Sequence, residues 1–77
     1  MKKQEGLNIA IAILMQLKTS GRTYFERKEL FNDPSLIDVK NDYRGRILQD
    51  LSDSKNNFGI HIRKVNPKIH DGKWQIL

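Results

Sequence analysis

Apolar residues recur at Leu7, Ala10, Ile11, Leu14 and Leu17, the spacing of one helical face. Ile9, Ala12, Ile13 and Met15 lie off that stripe, so the helix is apolar nearly all round. The run Ile9-Ala10-Ile11-Ala12-Ile13 also fits a strand, but the longer stripe and the alanine content favour helix. Gly6 lies near its start, and Thr19-Ser20-Gly21 supplies a stop with Gly21 as the C-cap. Arg22-Thr23-Tyr24-Phe25 is short, β-prone and extended. Residues 26–31 predict a brief helix closed by Asn32-Asp33-Pro34-Ser35, with Phe25, Leu30 and Phe31 facing the core. Leu36, Ile37 and Val39 then approach a third helix. Asp38 or Asn41 would cap it, and Tyr43, Ile47, Leu48 and Leu51 form its apolar side. Residues 52–57 read as a polar loop.

From Phe58 to Arg63 apolar and polar residues alternate, the period of a half-buried strand. Asn66-Pro67-Lys68-Ile69-His70-Asp71-Gly72 breaks the pattern with turn formers. Lys73-Trp74-Gln75-Ile76-Leu77 resumes it. The expectation is a two-stranded hairpin with a long basic tip. Such a hairpin is marginal alone, so it must rest on the helices through Ile60, Ile62, Trp74 and Ile76, with Trp74 largely buried.

At 77 residues the chain has room for one domain, 1–77, and one small core. A domain of this size buries only about 60% of its unfolded surface. Residues 1–5 fit a short basic arm, through Lys2 and Lys3, or a disordered start equally well. There is no cysteine, which excludes disulfides and cysteine-based zinc sites. His61 and His70 have no partner at metal-ligand spacing, so neither a metal nor another cofactor is implied. Met1-Lys2-Lys3 before an apolar run is no signal peptide: Gln4, Glu5 and Asn8 intrude and no cleavage site follows. The run is also far short of the ~20 residues that span a bilayer. The reading is a cytoplasmic protein with no membrane partner. A Gly-rich phosphate loop, a nucleophile with an evident base and a pocketed carboxylate pair are all missing, so the chain does not read as an enzyme.

Charge changes the picture. The chain carries a net +5 and its pI is about 9.8, which favours an acidic partner, most commonly nucleic acid. From Phe58 to Leu77 there are four Lys/Arg and one Asp, a local net of +3. From Leu36 to Asn57 four basic and four acidic residues cancel. The hairpin is therefore the stronger electrostatic element. Arg63, Lys64, Lys68 and Lys73 are its candidate phosphate contacts, which give affinity with little sequence information.

The order is helix, extended segment, helix, helix, strand, basic loop, strand. In that order, and in Tyr24-Phe25, the Asn41–Leu51 stretch and the Gly72-Lys73-Trp74-Gln75-Ile76-Leu77 ending, the chain resembles the winged helix-turn-helix superfamily over nearly its whole length. The connection Asn32–Lys40 is longer than a tight helix-turn-helix turn, which leaves the angle between the second and third helices open. The resemblance implies an α+β fold: a small three-helix winged helix-turn-helix domain with a C-terminal β-hairpin wing. It implies double-stranded DNA as partner, with the third helix in a groove. Lys40, Asn41, Arg44 and Arg46 are then the groove candidates, since Arg suits guanine and Asn adenine. The plainer reading is a solvated face with Arg44 and Arg46 paired to Asp42, Asp50 or Asp53.

The implied role is a small transcriptional regulator or accessory DNA-binding factor of bacterial, phage or plasmid type. One variant is nucleoid-type binding of A·T-rich minor grooves, prompted by Arg44-Gly45-Arg46. The alternative is a protein-interaction winged helix without direct DNA binding. RNA binding is a weaker third reading, because the aromatics all have core places. A homodimer is expected through Ile9, Ile13 and Met15, which would double the phosphate contacts.

Overall fold

A computed structural model of the protein describes residues 1–66 and 72–77. In them three helices and three strands run in the order α1 (Lys3–Thr19), β1 (Tyr24–Glu26), α2 (Arg27–Phe31), α3 (Asn41–Ser52), β2 (Ile62–Lys64) and β3 (Lys73–Ile76). The fold is α+β, with the helices on one face of a small antiparallel sheet.

α1 begins at Lys3, with Met1 and Lys2 exposed ahead of it. Lys3 Nζ lies 2.6 Å from Asp50 on α3, although an exposed pair of this kind contributes little stability. α1 buries Leu7, Ala10 and Leu14 and leaves Ile11 and Leu17 half-buried. At its end the Arg22 N–H donates to Leu17 O at 2.9 Å and the Gly21 N–H to Lys18 O at 3.0 Å. Gly21 adopts φ 92°, the left-handed turn that closes a helix with this pair of bonds. At Gly6 α1 approaches α3 and the connection closely. A side chain's Cβ there would lie 3.1 Å from both Ile47 Cδ1 and Val39 Cγ2.

The sheet has the order β1-β3-β2. The extended segment after α1 is therefore a third strand, and it pairs with the last strand of the chain. Phe25 faces Trp74 across β1 and β3, and Ile62 faces Ile76 across β2 and β3. Side chains alternate between faces along a strand. Phe25, Ile62 and Ile76 thus point into the core, where each is at most 5% exposed. β2 is shorter than its sequence pattern: Phe58-Gly59-Ile60-His61 is not strand. Gly59 turns through φ 85°, yet Ile60 still reaches the core.

Leu30 and Phe31 are buried from α2, and Ile47, Leu48 and Leu51 from α3, with Tyr43 half-buried. The long connection 32–40 is compact, with turns closed by Leu36 N–H to Asp33 O and Val39 N–H to Leu36 O. It buries Leu36 and Val39 and leaves Ile37 outside at 55% exposure. Neither Asp38 nor Asn41 caps α3: Lys40 holds the N-cap position without a side-chain bond, and Asn41 is the first helical residue. Among the described residues no polar or charged side chain is buried, so burial of apolar groups carries the stability.

The two helical glycines should respond oppositely to substitution. Gly6→Val forces a branched side chain against Ile47 and Val39 and should cost about 1–3 kcal/mol. Gly45, in the middle of α3, has no atom within 4 Å of a Cβ position. Gly45→Ala should therefore stabilise by about 0.5–1 kcal/mol through helix propensity. Urea unfolding midpoints at unchanged slope check both signs.

Candidate nucleic-acid interface

The side of α3 turned away from the core carries Asn41, Asp42, Gly45, Arg46, Gln49 and Ser52, all exposed. Beside it runs a cleft of about 470 Å³. Gly45, Leu48, Gln49 and Ser52 form one wall, Glu26, Arg27 and Lys28 the second, and Lys64, Gly72 and Trp74 the third. The sheet register creates this arrangement. β1 runs directly into α2, and the Arg27 N–H donates to Gly72 O at 2.7 Å. That bond holds the first turn of α2 beside the hairpin. Arg22 then clasps Glu29 of α2, its Nη1 and Nη2 donating to the two carboxylate oxygens at 2.6 and 2.9 Å. This hydrogen bonding holds the Glu29 carboxyl below its ordinary value.

Three cations, Arg27, Lys28 and Lys64, and one carboxylate, Glu26, line the cleft. Lys28 Nζ lies 3.7 Å from the Glu26 carboxylate. The balance of charge on α3 also resolves by face. Asp50 is turned to Lys3 on α1, and Asp53 accepts the Lys55 N–H in the following turn. Asp42 remains on the open face with Arg46. Among the described residues neither Arg44 nor Arg46 is ion-paired with an acidic side chain.

The residues expected at the interface divide into three groups. Lys40, Asn41 and Arg46 are exposed at the start and on the open face of α3, and Lys64 lies in the cleft. Arg44 does not project outward. It is half-buried, its Nε donates to Val39 O at 2.9 Å and its Nη2 to Ile37 O at 3.0 Å. Its guanidinium also sits 5.3 Å from the centre of the Phe31 ring. An arginine in the first turn of α3 thus reaches back to donate to two carbonyls of the connection. Arg63 and Lys73 lie on the sheet face away from α3. Arg63 Nη2 donates to Gln75 Oε1 at 2.9 Å, and Lys73 Nζ lies 5.3 Å from the Tyr24 ring centre. Lys68 and His70 lie outside the described residues.

Sequence reasoning missed Arg27, Lys28 and Gln49. Gln49 was legible from helical phase, two turns beyond Asp42 on the same open face. Arg27 and Lys28 become neighbours of α3 only through the pairing of β1 with β3. Trp74, expected to be largely buried, is half-buried. It packs on the core but stands between two hollows, because α3 faces it with the small residues Gly45 and Ser52. The second hollow, on its other side, has an apolar floor of Ile62, Trp74 and Leu77.

Ile9 and Ile13 are half-buried and packed against their own core, and Met15 is 37% exposed. Residues two apart on a helix are separated by about 200°, so Ile13 and Met15 face opposite ways and do not share one flat interface. Among the described residues no three His, Cys, Asp or Glu side chains are grouped to hold a metal ion. No helix there is long and apolar enough to cross a membrane. The chain matches no protein-family model, no curated protein and no solved structure.

Arg44→Ala should free two carbonyls of the connection and cost about 1.5–3 kcal/mol of stability, the range for hydrogen bonds from a charged donor. Hydrogen exchange should accelerate in residues 36–41. Any DNA preference should survive, since the guanidinium is committed to the loop. Relaxed preference at a single base position would return Arg44 to the groove.

Proposed function

We propose that this chain is a winged-helix domain that binds duplex DNA, with the open face of α3 in a groove and the cations of the cleft on the flanking phosphates. The observation that carries the reading is the cleft itself. Three cations from α2 and β2, with the one carboxylate of Glu26, line a cleft walled by Gln49 of α3, and Arg46 stands exposed on the same helix outside it; these two side chains suit adenine and guanine edges. The order of helices and strands by which the sequence resembles the superfamily supports it, as does the net charge of +5. Gly45, bare on that face, lets a sugar-phosphate backbone come close. A small transcriptional regulator or accessory factor is the corresponding role. Narrow A·T-rich minor grooves remain a variant for Arg46, but Arg44 is withdrawn from it by its loop bonds.

A salt series with random and selected duplexes tests this. Lys64→Ala should weaken binding to all sequences alike and lower the salt slope by about one ion. Arg46→Ala should cost about 1–3 kcal/mol on the selected site and relax preference there. Arg63→Ala and Lys73→Ala, on the other face of the sheet, should change affinity far less than Lys64→Ala. Gly45→Leu should leave the fold intact and abolish binding. Absence of salt-dependent affinity for any duplex would leave the protein-interaction reading, which the apolar hollow beside Trp74 favours.

A dimer would double the phosphate contacts, and the outward side of α1 around Ile9 and Ile13 is the surface we assign to it. Sedimentation should show a concentration-dependent mass that Ile9→Glu reduces to the monomer. A strict monomer at high concentration would remove this interface.

A further inference from the structure

The hollow on the far side of Trp74 lies along β2, and β2 is an edge. Among the described residues, in the sheet order β1-β3-β2, it has a neighbour on one side only. The pairing fixes which of its backbone groups are used. The Val65 N–H donates to Lys73 O and the Leu77 N–H to His61 O. With Arg63 opposite Gln75, residues 61, 63 and 65 face β3 with their hydrogen-bonding groups. Ile62 and Lys64 therefore aim their backbone N–H and C=O outward, at the open edge. Unpaired edge groups are a template for another strand.

Beneath this edge the hollow measures about 610 Å³ and is floored by Ile62, Trp74 and Leu77. Leu77 is 48% exposed. His61, Arg63 and Lys64 border it, and among the described residues no Asp or Glu lines it. An added strand would alternate its side chains between the two faces. Those on the helix side would meet the apolar floor, and those on the outer side would meet Arg63, which is exposed. The matching sequence is one that alternates apolar and acidic residues.

A second copy of this chain fits poorly. Two β2 edges pairing antiparallel would set Arg63 against Arg63, or Lys64 against Lys64, in the registers centred on those residues, and like charges directly opposite are destabilising. We propose that the open edge of β2 and the hollow beneath it bind an extended protein segment of alternating acidic and apolar residues, added as a further strand. Backbone bonds from Ile62 and Lys64 would supply affinity, and the floor and the cations would supply selectivity. The hollow shares Ser52, Lys64 and Trp74 with the cleft, but the added strand would lie along the edge of β2 and not on the open face of α3, so the proposal does not depend on the DNA reading.

Trp74 is the chain's one tryptophan and stands in the hollow, so its fluorescence reports occupancy directly. The probe is a short synthetic peptide alternating glutamate and leucine. The controls are its lysine-for-glutamate counterpart and the same glutamate peptide N-methylated at alternate backbone positions. The glutamate peptide should shift Trp74 emission to the blue and saturate. Both controls should bind at least ~10-fold more weakly, about 1.4 kcal/mol. Leu77→Glu, a change at a half-exposed position, should weaken the glutamate peptide by a similar factor while circular dichroism and duplex-DNA affinity stay as in the parent. Equal binding by either control, undiminished binding by Leu77→Glu, or no saturable shift overturns the proposal. So does a shift that grows with protein concentration alone and tracks a dimer mass, which would assign the edge to a second copy. Loss of peptide binding with DNA binding retained refutes this site and leaves the DNA reading standing. Peptide binding without DNA binding does the reverse.

Discussion

The structure depends on β3. β1 and β2 are three residues each, too short to persist alone, and both pair with it. Through β3 the segment after α1 is joined to the far end of the chain, with Phe25 opposite Trp74. The entropy of closing so long a loop grows only slowly with length, and burial of Phe25, Ile62 and Ile76 on one sheet face offsets it. The same pairing starts α2 beside the hairpin, because Arg27 bonds to Gly72. The cleft and the hollow are both consequences of that junction, with Trp74 as the wall between them.

Charge acquires meaning in this protein only after it is assigned to faces. Lys64 and Arg63 are adjacent in sequence and point to opposite sides of the sheet. Asp50 weakens the positive character of α3 on paper, yet it is spent on Lys3 at the α1 side. Arg44 looks like a reader of nucleic acid and works as a strut. Its bonds to Ile37 and Val39 carbonyls, and its position over Phe31, fasten a connection that carries no capping side chain. The open face of α3 is thereby stripped to few side chains, Arg46 and Gln49 foremost.

The two helical glycines illustrate how one residue type serves opposite needs. Gly6 lets α1 approach Ile47 and Val39 so closely that an added Cβ would lie 3.1 Å from each. A Cβ at Gly45 would meet no described atom within 4 Å, so no packing contact among the described residues requires glycine there.

The sequence by itself determined what is local. The stripe from Leu7 to Leu17, the stop at Gly21, the apolar side of α3 at Ile47, Leu48 and Leu51, and the alternation from Lys73 to Ile76 all appear where their periodicity places them. Each of these is settled by residues a few positions apart, so the α+β class was legible. Tertiary structure decided what depends on distant partners. It made a strand of Tyr24–Glu26, shortened β2 after Gly59, turned Arg44 inward, split Arg63 from Lys64, and brought Arg27 and Lys28 to α3. It also left Trp74 half-covered, because the helix above it offers glycine and serine there. Periodicity reports which side of an element is apolar. Which charged side chains share a surface is set by strand register and helix approach, and those are fixed only when the whole core closes.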